Sequence, residues 1–159
     1  TEDTATKSAA ESAWKDLKTL KNEKLYQNGD TDTIRKNVKA FVSNYNSAME
    51  SAQNSDKSGV LKNASRLEAQ TGNYTSALAK IGITVKSDNT LTFDEEAFAS
   101  ADMSDVKKLF TGDFSFGSNT QSRMLQLASD ASANSASVLY DRYGTVAGTS
   151  VGSFYDSLF

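Results

Sequence analysis

The stretch Ile34-Arg35-Lys36-Asn37-Val38-Lys39-Ala40-Phe41-Val42-Ser43-Asn44-Tyr45-Asn46-Ser47-Ala48-Met49-Glu50-Ser51-Ala52 decides the fold class. Its apolar positions Ile34, Val38, Phe41, Tyr45, Met49 and Ala52 follow one another in steps of 4, 3, 4, 4 and 3, so they stack along one side of a helix. Most residues between them carry amide, hydroxyl or charged groups suited to water. The spacing predicts a long amphipathic helix from about residue 31 to 55. Asn28-Gly29-Asp30 forms the turn before it, with Thr31 or Asp32 placed to cap its start.

Upstream, Ala10, Trp14, Leu17, Leu20 (or Lys21) and Leu25 recur at three-to-four spacing, which predicts one helix over Asp3–Asn28. Downstream, the polar break Asn54–Gly59 is followed by Val60, Ala64, Leu67, Thr71, Tyr74, Leu78 and Ile81, alternating steps of 4 and 3. That is a heptad seam, and it predicts one continuous third helix folded back antiparallel on the second. Polar Thr71 beside Gly72 marks a weak point or a close neighbouring backbone. The chain has no proline, which suits long helices, since one interior proline costs about 3 kcal/mol.

After Gly82 the period changes to two. Ile83 and Val85, then Leu91 and Phe93, alternate with polar residues around Ser87-Asp88-Asn89, predicting a β-hairpin over residues 83–93 that must pack on the helices. Short helices follow over 94–111. Asp94 is the expected cap of the first, which carries Ala97, Phe98 and Ala101, and Ser104 that of the second, ended by Gly112. Residues 113–118 read as a loop whose two aromatics need cover. A last helix is expected over 119–143, with Met124, Leu127, Ala131, Val138 and Tyr140 inward, and residues 144–159 read as a C-terminal tail.

Composition narrows the chemistry. Among 159 residues there is no histidine and no cysteine, which removes Ser-His and Cys-His nucleophiles and the ordinary zinc, haem, copper and iron–sulfur ligand sets. A net charge of -3 is of the wrong sign for general affinity to nucleic acid or anionic membrane. Mean hydropathy is -0.50, and no apolar run approaches the roughly 20 residues that span a bilayer, so no membrane insertion is expected. Zero cysteine fits a reducing cytosol or a bacterial surface protein that does without disulfides.

The densest acidic group, Asp88, Asp94, Glu95, Glu96, Asp102 and Asp105, has the composition of a glycosidase pair or a calcium site, but helix capping and solvation explain it better. Ser104 and Lys107 have Ser-x-x-Lys spacing without the supporting motifs, so they read as a cap and a solvent-facing side chain. Single scattered glycines make no phosphate loop. Neither a catalytic residue, a cofactor nor a metal is expected. Trp14 is the best single candidate for a partner contact, and Val38, Phe41, Tyr45, Val60, Leu67, Tyr74 and Leu78 are the packing seam and possible subunit contacts.

Two stretches carry a family resemblance. Phe41-Val42-Ser43-Asn44-Tyr45-Asn46, preceded by Thr33-Ile34-Arg35-Lys36-Asn37-Val38, is similar to the Phe-Val-x-x-Tyr-Asn helix of the flagellar filament-cap family, hook-associated protein 2. Leu78-Ala79-Lys80-Ile81-Gly82-Ile83-Thr84, the Asp88-Asn89 turn, Leu91-Thr92-Phe93-Asp94-Glu95-Glu96 and Asp105-Val106-Lys107-Lys108-Leu109-Phe110-Thr111-Gly112 follow in that family's order. The resemblance covers residues 31–112. The family's outer β-rich domains and C-terminal coiled coil have no counterpart here, and its usual Asp-Gly or Asn-Gly turn is Asp88-Asn89-Thr90, so the chain reads as a fragment or a shortened relative.

The expected fold is therefore mainly α with a small β-hairpin, an elongated antiparallel helical bundle or coiled-coil-like stem over residues 1–143. The resemblance implies a flagellin-inner-domain-like stem and a non-enzymatic assembly protein at the bacterial flagellum or cell surface. Self-association or other flagellar subunits would be its partners. The alternative is a secreted adhesin on the same fold, binding host protein or glycan.

Overall fold

The computed structural model describes residues 2–133. Over these residues the protein is mainly helical, with one two-stranded antiparallel sheet. The elements run α1 (Glu2–Lys21), α2 (Lys24–Gln27), α3 (Thr31–Gln53), α4 (Ser58–Gly72), α5 (Thr75–Lys80), β1 (Ile83–Val85), β2 (Leu91–Phe93), α6 (Glu95–Ala99), α7 (Met103–Phe110) and α8 (Phe116–Ser132). Continuation of the last helix to residue 143, with Val138 and Tyr140, and the 144–159 tail lie outside the described residues.

The deciding helix α3 buries every expected position, Ile34, Val38, Phe41, Tyr45, Met49 and Ala52, and Val42 and Ala48 as well. The buried stripe is wider than a two-helix seam because α3 has neighbours on both sides. Its principal partner is α1. Asn44 Nδ2 donates to Asp16 Oδ2 at 2.7 Å near one end and Ser55 Oγ to Asp3 Oδ1 at 2.9 Å near the other, so α1 and α3 are antiparallel. On its other side Gln53 Nε2 donates to Glu68 Oε1 at 2.9 Å, and the Tyr45 and Thr71 hydroxyls lie 2.9 Å apart, so α4 runs back along α3. The cap of α3 is Asp30, not Thr31 or Asp32. Asp30 accepts from the Thr33 amide at 3.1 Å, while Thr31 and Asp32 are already helical.

Two expected helices are each broken in two. The first ends at Lys21 because Asn22 Oδ1 takes the Lys24 amide at 3.1 Å, and α2 is held against the end of α1 by the Tyr26 hydroxyl, which donates to the Leu20 carbonyl at 2.7 Å. The inward stripe of α1 is Thr6, Ala10, Ala13, Leu17 and Leu20, with Ala13 in the place expected for Trp14. Such small residues admit close neighbours, and α1 packs on α3 and α8 together. The third helix stops at Gly72, where the amides of Asn73 and Tyr74 bond three residues back, to Gln70 and Thr71, and Thr75 Oγ1 donates to the Gly72 carbonyl at 2.9 Å. Leu78 and Ile81 remain buried because α5 resumes the apolar face.

The hairpin forms where the period-two pattern places it, with Ile83 opposite Phe93, Thr84 opposite Thr92 and Val85 opposite Leu91. Asp88 Oδ1 accepts from the Thr90 amide at 3.0 Å and hydroxyl at 2.6 Å, and Asn89 takes the positive φ of 68° that the turn needs. Gly82 closes the base. Its φ is +89°, its carbonyl accepts from the Asp94 amide at 2.8 Å, and a Cβ there would sit 2.6 Å from the Asp94 carbonyl oxygen.

Asp94 caps α6 as expected, accepting from the Glu96 and Ala97 amides at 3.0 and 3.1 Å. Phe98 is buried, whereas Ala97 is exposed. The second short helix is capped by Asp102 instead of Ser104, since Asp102 Oδ1 accepts from the Ser104 amide at 3.0 Å and α7 already starts at Met103. The last helix begins at Phe116, capped by Ser115, and not at 119. Phe116 is wholly buried, while Phe114 is 88% exposed. Gly117 allows the crossing of α8 over the end of α7, where a Cβ would lie 2.5 Å from the Phe110 carbonyl oxygen.

The core centres on three phenylalanines from three elements. Phe41, Phe110 and Phe116 meet edge to face with ring centroids 6.0 to 6.2 Å apart, and Tyr74 packs on Phe116 at 5.3 Å. Such pairs add about 0.5–1.5 kcal/mol each beyond the area they bury. At the far end, Lys57 donates to the Ala131 carbonyl at 2.8 Å and to that of Ala133, and lies 3.6 Å from Asp3. With Gln70 bonded to Thr120 at 2.9 Å, α8 runs antiparallel to α4.

Candidate functional site

Val38, Phe41, Tyr45, Val60, Leu67 and Leu78 are fully buried in the core of their own chain. They hold the helices together and present nothing to a second subunit. Tyr74 and Trp14 are half-buried, and the Lys18 ammonium lies 5.4 Å from the Trp14 ring centre, so that ring already has core on one side and a cation on the other.

The Phe41–Asn46 stretch acts through its polar side chains as well. Asn44 reaches Asp16 of α1, and burial raises the Asp16 pKa while that hydrogen bond opposes the rise. Tyr45 reaches Thr71 of α4, and burial pushes its hydroxyl up to about 12. Asn46 uses both ends of its amide on one residue of β2. It donates to the Leu91 carbonyl and accepts from the Leu91 amide, each at 2.8 Å, as a neighbouring strand would. One helical side chain thus replaces a missing third strand.

Glu95 extends this junction. Arg35 Nη1 lies 2.6 Å from Glu95 Oε1 and Lys39 Nζ 3.4 Å from Oε2, and hydrogen bonding to Arg35 with the charge of Lys39 holds the Glu95 carboxyl below its ordinary range. Three others of the acidic group do local work. Asp88, Asp94 and Asp102 each accept the amides of their own turn or helix start, and the carboxyls of Asp88 and Asp102 are lowered chiefly by bonds from Thr90 and Ser104. Among the described residues no three His, Cys, Asp or Glu side chains group to hold a metal ion, and no helix is long and apolar enough to cross a membrane.

Some features had no signal in the sequence reading. Asn63 of α4, which is buried, donates to half-buried Asp130 of α8, Asn63 Oδ1 has no partner, and burial raises the Asp130 pKa against the bonds from Asn63 and Gln126. Asn63 sits at the edge of the apolar face of α4, three residues after Val60 and four before Leu67, where its polar side chain gave no sign of a partner. Phe114 is the other. It is held outward with φ of +65°, beside a recess of about 270 Å³ at the junction of α5, α7 and α8. Compared with protein-family models, curated proteins and solved structures, the chain matches none.

Proposed function

We propose that the chain is a non-enzymatic assembly protein resembling the flagellar filament cap, an elongated antiparallel helical stem of flagellin-inner-domain type that works at the bacterial surface by helix packing and subunit association. One observation carries the reading. The two stretches on which the resemblance rests, far apart in sequence, are bonded to each other: Asn46 to Leu91, Arg35 and Lys39 to Glu95, and Phe41 to Phe110 with ring centres 6.2 Å apart. They make one physical unit, so a resemblance in both is a resemblance in an interlocked piece of structure. The antiparallel runs of α1, α3, α4 and α8 support the stem. Of the carboxylates that were candidates for acid–base chemistry, Asp88, Asp94, Asp102 and Glu95 hold a turn, helix ends or an ion pair, which supports the non-enzymatic reading.

The test is electron microscopy of gold-labelled protein mixed with flagellar filaments of the source organism. Label confined to filament ends is expected. Label spread along the filament or absent from it, or a source without flagellin, overturns the reading. The adhesin alternative draws on a polar recess lined by Gln70, Asn119, Ser122, Arg123 and Gln126, whose amides and guanidinium suit sugar hydroxyls. Gln70 and Asn119 already donate to Thr120 and Tyr74, which leaves fewer donors for a glycan. Binding on a glycan array lost in Arg123→Ala would favour it.

A further inference from the structure

The loop between α7 and α8 combines a protruding aromatic and a recess that can receive one. Phe114 is 88% exposed, and its φ of +65° is one that side chains other than glycine rarely adopt. The loop is nevertheless pinned. Ser115 and Ser118 hydroxyls donate to the Gly112 carbonyl at 3.0 and 2.7 Å, Ser115 Oγ accepts from the Ser118 amide at 3.1 Å, and Asn119 Nδ2 donates to the Phe114 carbonyl at 3.3 Å. The ring is therefore presented to solvent by a fixed backbone, as an interface anchor would be.

Beside it lies the recess of about 270 Å³, whose apolar lining is Tyr74, Ala77, Leu109 and Phe116. A benzene ring fits in a dry cavity of about 150 Å³, so a phenyl group can enter. The polar lining includes Lys80 and Lys108, with Asp105 and Ser115, leaving one positive charge in excess. The residue preceding Phe114 is Asp113, so the protruding element is a carboxylate next to a ring. Its charge and its apolar group match those of the recess.

We propose that this recess receives Asp113-Phe114 of a second copy of the chain, the ring entering between Tyr74 and Leu109 and the carboxylate meeting Lys80 and Lys108. Loop and recess share residues 115 and 116, so ring and recess are neighbours on one face, and in the proposed pair each copy gives and receives one ring about a two-fold axis. Two rings bury roughly 300–500 Å², less than the roughly 1,200 Å² of a stable interface, so the contact is weak and concentration-dependent. The inference rests on the reading of the chain as a self-associating protein and names the surface that does it.

Sedimentation velocity of the full 159-residue chain over a wide concentration range tests it. The wild type is expected to pass from monomer to dimer, and Phe114→Ala to weaken dimerisation about tenfold, the loss of one anchor contact. Circular dichroism checks that this exposed substitution leaves the fold intact. Asp113→Lys and Lys108→Glu should each weaken the dimer, and the double variant should recover most of the loss, because each copy then presents the reversed pair. Dimerisation unchanged by Phe114→Ala, or a double variant no better than the singles, overturns this surface and leaves self-association standing. A wild type monomeric at every concentration overturns both.

Discussion

Two polar locks hold sequence-distant elements together, one at each end of the helices, and they are built in opposite ways. At the junction of α3 with the hairpin and α6, Asn46 satisfies both backbone groups of Leu91, and Arg35 and Lys39 meet Glu95 near the surface, lowering its pKa. At the junction of α4 with α8, buried Asn63 meets half-buried Asp130, Asn63 Oδ1 has no partner, and burial raises the carboxyl pKa. The first lock stabilises because its groups are matched in number and kept near water. The second is a constraint whose desolvation offsets what its hydrogen bond contributes, so it fixes how α8 lies on α4 more than it adds stability.

The largest effect separating the two ends is expected from Gly82→Ala, at the base of the hairpin. The new Cβ would meet the Asp94 carbonyl oxygen at 2.6 Å on a backbone with φ of +89°, and a loss of about 3 kcal/mol in urea denaturation is expected. Asn46→Leu keeps the volume and leaves both groups of Leu91 unpaired, which should cost about 2 kcal/mol. Hydrogen exchange should quicken at the hairpin amides first, before those of α1 and α8. If exchange rises evenly along the chain, Asn46 is a general packing residue and not a lock.

A smaller effect of the opposite sign is expected at the other end. Because the folded Asp130 pKa lies above its ordinary 3.8, the native state holds that proton more tightly than the unfolded chain does. The stability contributed by protonation therefore grows as pH falls through the raised value towards 3.8, and is missing at neutral pH. Asp130→Asn should gain under about 1 kcal/mol at pH 7 and remove this part of the pH dependence. A clear loss at pH 7 would mean that the ionised carboxylate is the favoured partner of Asn63. Glu95 has the reverse dependence, its contribution present above its ordinary 4.5 and lost as pH falls through the lowered value. The smallest effect is Arg35→Met, which removes a half-exposed ion pair: a slight drop in Tm at low salt that vanishes at high salt.

Legibility in the sequence followed the same division. The inward positions of α3, the hairpin and its turn, and Asp94 as a cap were readable because each rests on residues within one or two turns of each other. The two helix breaks were not, since periodicity continues across them: Leu25, Leu78 and Ile81 keep their spacing while Asn22 and Gly72 interrupt the backbone. The candidate contact surface was missed in part. Residues 113–118 were read as needing cover for both rings, whereas Phe116 turns into the Phe41–Phe110 cluster and Phe114 turns out.

By itself the sequence determined the inward face of α3, where the period drops to two, and which enzyme classes lack their ligands, because these depend on local spacing and on residue types being present at all. Only the tertiary structure decided which helix each apolar stripe meets, that Asn46 stands in for a strand, that Asn63 and Asp130 meet, and that Phe114 is left outside. These depend on which surfaces the turns bring together, and a hydrogen bond or a buried ring is set by a neighbour in space whose distance along the chain carries no signal.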